Sequence, residues 1–122
     1  MRTIYVVEDD GAVRDSLQVL LESEGFAVVA FASAEAFLSE TQPDGAGCLL
    51  LDWHLSGMSG HELLNVLRRD KMEIAVVLMS GDPDTAMRRA AERHGAPLLV
   101  KPVAAENLLR AVEDALRAGR LH

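Results

Sequence analysis

Ile4-Tyr5-Val6-Val7-Glu8-Asp9-Asp10 opens the chain with an apolar run that stops in three consecutive acids. A strand with one wet face alternates apolar and polar residues, whereas an unalternating run reads as a strand covered on both faces. Similar runs follow at Ala27 to Phe31, Cys48 to Leu51, Ile74 to Met79 and Leu98 to Val100. Between them, Val13, Leu17, Leu20 and Leu21 recur at helical spacing, predicting a first helix from about Gly11 to Glu24 that Gly25 stops.

Ser33 is the expected N-cap of a short second helix through Phe37 and Leu38, with a loop at Pro43-Asp44-Gly45. Ser59-Gly60-His61-Glu62 has capping-box spacing and starts a third helix carrying Leu63, Leu64 and Leu67. Asp82-Pro83 supplies a cap and first-turn proline for a fourth helix ended by Gly95. Leu108, Leu109, Val112 and Leu116 mark the apolar face of a last helix. Strand and helix alternate five times. Because right-handed crossovers lay helices over both faces, this order predicts an α/β fold, a doubly wound five-stranded parallel sheet.

The 122 residues are 49% hydrophobic and 25% charged, so the expectation is one packed domain, residues 1–122. Twelve Lys plus Arg against nineteen Asp plus Glu leave a net charge of −7, which argues against direct nucleic-acid binding. No apolar run approaches the ~20 residues of a membrane span, and the start of the chain lacks signal-peptide layout. A cytoplasmic protein without membrane association is expected. Cys48, the single cysteine, lies in an apolar run and reads as a buried thiol. His54, His61, His94 and His122 have no clustered metal-ligand spacing, so zinc is not expected.

Parallel sheets of this kind bind ligands at the carboxyl ends of their strands. The first strand ends at Glu8-Asp9-Asp10, the third at Asp52, the fourth at Ser80 and the fifth at Lys101-Pro102. Each has a structural explanation by itself: Asp9 or Asp10 can cap the first helix, Ser80 can belong to a turn and Lys101 can be solvated. Together they put three carboxylates, a hydroxyl and an ammonium on one sheet edge. Crowding Glu8, Asp9 and Asp52 raises at least one pKa or recruits a cation. Mg²⁺ suits an oxygen-only ligand set and shares phosphate oxygens readily. Lys101 and Ser80 are suited to a phosphoryl oxygen, and one carboxylate to the role of nucleophile.

In Val7-Glu8-Asp9-Asp10, Leu51-Asp52-Trp53-His54-Leu55-Ser56-Gly57-Met58-Ser59-Gly60, Val77-Leu78-Met79-Ser80-Gly81 and Val100-Lys101-Pro102, the chain resembles the response-regulator receiver domain of two-component signalling over essentially its whole length. The resemblance implies a flavodoxin-like strand order 2-1-3-4-5 and a cis peptide before Pro102. It makes Asp52 the phosphoacceptor, Glu8 and Asp9 further metal carboxylates with Asp52, Ser80 the switch hydroxyl and Lys101 the phosphate-binding lysine. The chain departs from the family pattern at Leu98, where an aromatic residue is usual, and in a stretch from Gly95 to Lys101 that is one residue shorter.

The expected function is a phosphorylation-controlled binding module. A sensor histidine kinase or histidine phosphotransfer protein donates to Asp52, and the altered surface engages a downstream protein target. Stoichiometric self-phosphorylation is expected, as opposed to enzymatic turnover. No output domain is visible in the 122 residues, which suits a stand-alone regulator, a phosphate shuttle or sink, or a receiver excised from a longer protein. One alternative is a Mg²⁺-dependent phosphatase with an aspartyl nucleophile, although Trp53 and His54 follow Asp52 where such enzymes place a second aspartate two residues on. The other is an interaction module that works without phosphate.

Overall fold

The computed structural model describes residues 2–43 and 45–118. Five strands, β1 (Thr3–Val7), β2 (Ala27–Phe31), β3 (Cys48–Asp52), β4 (Ala75–Ser80) and β5 (Leu98–Val100), alternate with helices α1 (Gly11–Ser23), α2 (Ala34–Glu40), α3 (Gly60–Arg69), α4 (Thr85–His94) and α5 (Ala105–Ala118). The sheet is wholly parallel, in the order β2-β1-β3-β4-β5. Strand order therefore reverses between β1 and β3, the two strands that end in the acids.

The unalternating runs have a direct physical explanation. In β1, Tyr5 and Val7 face one layer while Ile4 and Val6 face the other; in β3, Leu49 and Leu51 oppose Cys48 and Leu50. One core joins the sheet to Phe37 of α2, Leu63, Leu64 and Leu67 of α3, and Met87 and Ala90 of α4. The second joins it to Leu17 and Leu21 of α1 and Leu108, Val112 and Ala115 of α5. Burial on both faces leaves no position in the central strands for alternation.

Local signals set most helix ends. Asp10 caps α1 by accepting from the amides of Ala12 and Val13, and Gly25 follows the helix at φ +92°. Ser33 caps α2, and Ser59 with Glu62 forms the expected reciprocal box on α3. The start of α4 corrects the sequence reading. Its cap is Asp84, whose Oδ1 accepts from the Met87 amide at 2.8 Å, and the helix begins at Thr85. Asp82 instead donates its own N–H to Ser80 Oγ at 3.0 Å, which keeps Asp82 and Pro83 in the loop at the end of β4. Gly95 ends α4 at φ +63°. Of the loop expected at Pro43-Asp44-Gly45, Asp44 lies outside the described residues, as do the terminal residues after Ala118. The Lys101–Pro102 peptide is cis, and among the described residues no helix is long and apolar enough to cross a membrane.

Candidate phosphoacceptor site

The site forms where consecutive strands run out at one edge. Asp52 and Ser80 are the last residues of β3 and β4, Glu8 and Asp9 follow β1, and Lys101 follows β5. Parallel pairing brings these ends level. Asp52 pairs with Met79, Ser80 pairs with Val100, and the Lys101 amide donates to the Ser80 carbonyl at 2.9 Å. The sequence-predicted residues are all brought together.

Within the acidic triplet the three residues separate by role. Glu8 is fully buried, Asp9 is exposed, and Asp10 is committed to capping α1. Ligand oxygens of Glu8, Asp9 and Asp52 lie within 4.8 Å of one another. Three convergent carboxylates without imidazole or thiolate form a hard-oxygen donor set, and it fits a divalent ion such as Mg²⁺. The Lys101 ammonium reaches into the same space, paired with Glu8 Oε1 and 3.3 Å from Asp52 Oδ2.

Burial pushes the Glu8 carboxyl above the ordinary carboxylate range. Hydrogen bonds from Lys101 and the Asp10 amide pull it back only partly, and the neighbouring charge of Asp52 adds to the rise. For Lys101, burial acts to lower the pKa, but hydrogen bonding to Glu8 and the charges of Asp52 and Glu8 outweigh it and hold the amine above its ordinary value. Lys101 and Glu8 thus favour one another's charged forms, while burial and the charge of Asp52 leave the Glu8 carboxyl raised on balance. Asp52 Oδ1 accepts from the His54 amide at 3.3 Å, leaving Oδ2 toward Lys101. Ser80 Oγ is buried and accepts from Asp82.

Glycine at the start of α3 lets the helix lie close against the end of β3. A Cβ at Gly60 would stand 2.6 Å from the Asp52 carbonyl oxygen and 2.9 Å from Trp53 Cα, so a side chain there would displace the backbone beside Asp52. The Gly60 amide donates to the Trp53 carbonyl at 3.1 Å. Trp53 itself is buried and stacks on His61, with ring centroids 5.0 Å apart.

Three supporting contacts escaped the sequence reading. Arg14 donates to the Glu8 carbonyl at 2.9 Å. Ser56 donates both its amide and its hydroxyl to Asp9 Oδ2, at 3.2 and 3.3 Å. Glu35 accepts the Met58 amide at 3.1 Å. The one sequence signal nearby is Ser56-Gly57, a turn dipeptide that marks the chain reversal but not its partners.

This constellation occurs in a chain that matches the response regulator receiver domain over residues 4–113. The chain belongs to the response regulator receiver family. As a receiver it is 36% identical over 115 residues to the transcriptional regulatory protein FixJ of Bradyrhizobium diazoefficiens, covering 93% of this chain and 56% of that protein. It is 40% identical over 114 residues to FixJ of Azorhizobium caulinodans, covering 93% and 54%. The receiver thus spans about half the length of these curated relatives. Among solved structures, the isolated FixJ-N chain superposes with a TM-score of 0.83 at 34% identity, covering 96% of this chain and 94% of that one. A CheY-like receiver domain from Methanospirillum hungatei gives 0.86 at 27% identity, covering 97% and 95%. These likenesses agree with the strand order and with a signalling domain as opposed to a turnover enzyme.

Proposed function

We propose that this receiver takes a phosphoryl group onto Asp52 from a phosphohistidine of a sensor histidine kinase or a histidine phosphotransfer protein, and that phosphorylation changes its affinity for a downstream protein target. The observation that carries this reading is the convergence of Glu8, Asp9 and Asp52 within 4.8 Å, with Lys101 in contact with two of them. Glu8, Asp9 and Asp52 are the residues that would hold Mg²⁺. The ion's contribution, when bound, is to neutralise carboxylate repulsion and polarise phosphoryl oxygens.

An Asp52 oxygen attacks phosphorus; the new O–P bond forms as the donor's N–P bond breaks, and the imidazole leaves with the bonding pair and takes up a proton. Lys101 Nζ, already beside Asp52 Oδ2, balances charge on a phosphoryl oxygen. Ser80 Oγ accepts from Asp82, so its own proton is available to the same group once phosphorylated. One phosphoryl group per chain is the product, which makes the domain a switch. The net charge of −7 favours a protein over a polyanion as its direct target, and the buried Cys48 thiol suits a reducing cytoplasm.

Incubation with acetyl phosphate and Mg²⁺, read by intact mass, tests the acceptor. Asp52→Asn is expected to abolish stable labelling; labelling at the wild-type level in that variant would move the acceptor elsewhere. Lys101→Ala is expected to slow labelling on the order of 10²-fold, the usual loss when a charge-stabilising donor is removed. A panel of histidine kinases and phosphotransfer proteins from the same genome then identifies the donor by relative transfer rate.

A further inference from the structure

The loop between β3 and α3 is fastened at both shoulders of its reversal. Leu55 and Met58 pack against the core formed with α2, α3 and α4, leaving Ser56-Gly57 between them as the tip. Gly57 adopts φ +74°, a left-handed conformation that favours glycine. That conformation turns the Ser56 amide and hydroxyl toward Asp9 Oδ2 and the Met58 amide toward α2, where Glu35 Oε2 accepts it at 3.1 Å. The Glu35 carboxylate also occupies the side-chain space of Gly57: a Cβ there would lie 2.5 Å from Oε2.

The helix propensity of α2 does not require this arrangement. Glu35 lies in the first turn of α2, where an acid is ordinarily accounted for by the helix dipole. Here its carboxylate reaches a loop residue 23 positions away, and the Met58 amide is the foremost reason that its pKa lies below the ordinary glutamate value.

We propose that Glu35 is a positioning residue for the phosphoacceptor site, acting through Met58, Gly57 and Ser56 on the Asp9 carboxylate. This rests on the reading of Glu8, Asp9 and Asp52 as the Mg²⁺-binding set. Asp9 is the exposed member of the three, so it has the most conformational freedom to lose on ion binding, and the donors on Ser56 limit that freedom in advance. Those donors are aimed only while the Gly57 reversal holds. Glu35 grips that reversal from outside.

The test uses the full chain with Glu35→Ala and Glu35→Gln. Mg²⁺ affinity is followed by Trp53 fluorescence, labelling rate with acetyl phosphate by intact mass, and Ser56 amide hydrogen exchange by NMR. Glu35→Ala is expected to weaken Mg²⁺ binding and slow labelling at subsaturating Mg²⁺ by roughly three- to tenfold, with Ser56 exchange accelerated by a similar factor. Glu35→Gln keeps an amide oxygen to accept from Met58 and is expected to restore all three to within about twofold of wild type.

Wild-type Ser56 exchange in Glu35→Ala, or unchanged Mg²⁺ affinity and labelling, overturns the proposal. So does a Glu35→Gln variant as impaired as Glu35→Ala, since the effect would then follow from charge and not from the hydrogen bond. If wild-type protein neither binds Mg²⁺ nor takes label, the phosphoacceptor reading fails and this proposal with it. Ser56 exchange separates the two failures by showing whether the Glu35 link exists.

Discussion

β3 and β5 each deliver a charged residue to the site, yet they are built differently. All five residues of β3 are buried, and the strand pairs with β1 on one side and β4 on the other. Its following loop is tied to Asp9, to Glu35 and back to Trp53. β5 has three residues, pairs only with β4, and leaves Val100 52% exposed. Asp52 therefore stands at the end of the best-supported strand, and Lys101 follows the leanest. Strands with few buried contacts open at lower cost, so β5 is expected to fray before β3, which holds Asp52 in place.

The largest expected effect breaks or sustains that contrast directly. Leu50 is fully buried against α1 and α5, so Leu50→Ala is expected to cost about 3 kcal/mol in denaturant unfolding, within the usual range for a buried leucine. Val100→Ala is expected to cost at most about 0.5 kcal/mol. Equal losses would dissolve the distinction between the two strands.

Next in size, taken per pH unit, is an alkaline effect at the start of β3. Burial pushes the Cys48 thiol up to about 12 from 9.0. The unfolded chain gives up this proton near the ordinary value while the folded chain keeps it, so the unfolded state binds fewer protons and stability falls as pH rises. Between pH 9 and 12, wild type is expected to lose about 1.4 kcal/mol per pH unit relative to Cys48→Ala. Parallel stability curves for the two proteins over that range would mean that the thiolate is solvated and that this end of β3 is not closed.

The same contrast explains what sequence could tell. β3 and its neighbours were legible because burial on both faces enforces runs of one residue class, and Asp52, Ser80 and Lys101 were legible because those runs stop at them. Helix starts at Asp10, Ser33 and Ser59 were legible because a cap and its partners lie within three residues. At α4 that local logic pointed to Asp82, but the Asp82 amide's bond to Ser80 keeps it in the loop and leaves the cap to Asp84. The bonds from Ser56 to Asp9 and from Met58 to Glu35 span 47 and 23 residues. A single sequence carries no periodic trace of such contacts, because any exposed acid is chemically adequate and only the fold selects one.

The smallest effect concerns how far the phosphorylation signal travels. Drawing Ser80 toward a phosphoryl oxygen requires a hydroxyl donor and movement of the loop that holds Asp82. Passing that movement across β5 requires a side chain that refills the vacated space. Leu98 is half-buried against the α2, α3 and α4 core and pairs with Leu78 two positions before Ser80. It has no planar ring to swing between inward and outward rotamers. The next residue on its face, Val100, is already largely in solvent, so little packing there depends on where Ser80 sits. Amide shift changes on phosphorylation at saturating Mg²⁺ are therefore expected to concentrate after β3, after β4 and in the first turn of α4, with weaker changes from Leu98 through Leu116. Ser80→Ala is expected to erase the β4 and α4 part and spare the shifts around Asp52. Large contiguous changes from Leu98 to Leu116 that persist in Ser80→Ala would show that β5 responds by a route independent of the hydroxyl, through Lys101, whose amide is bonded to the Ser80 carbonyl.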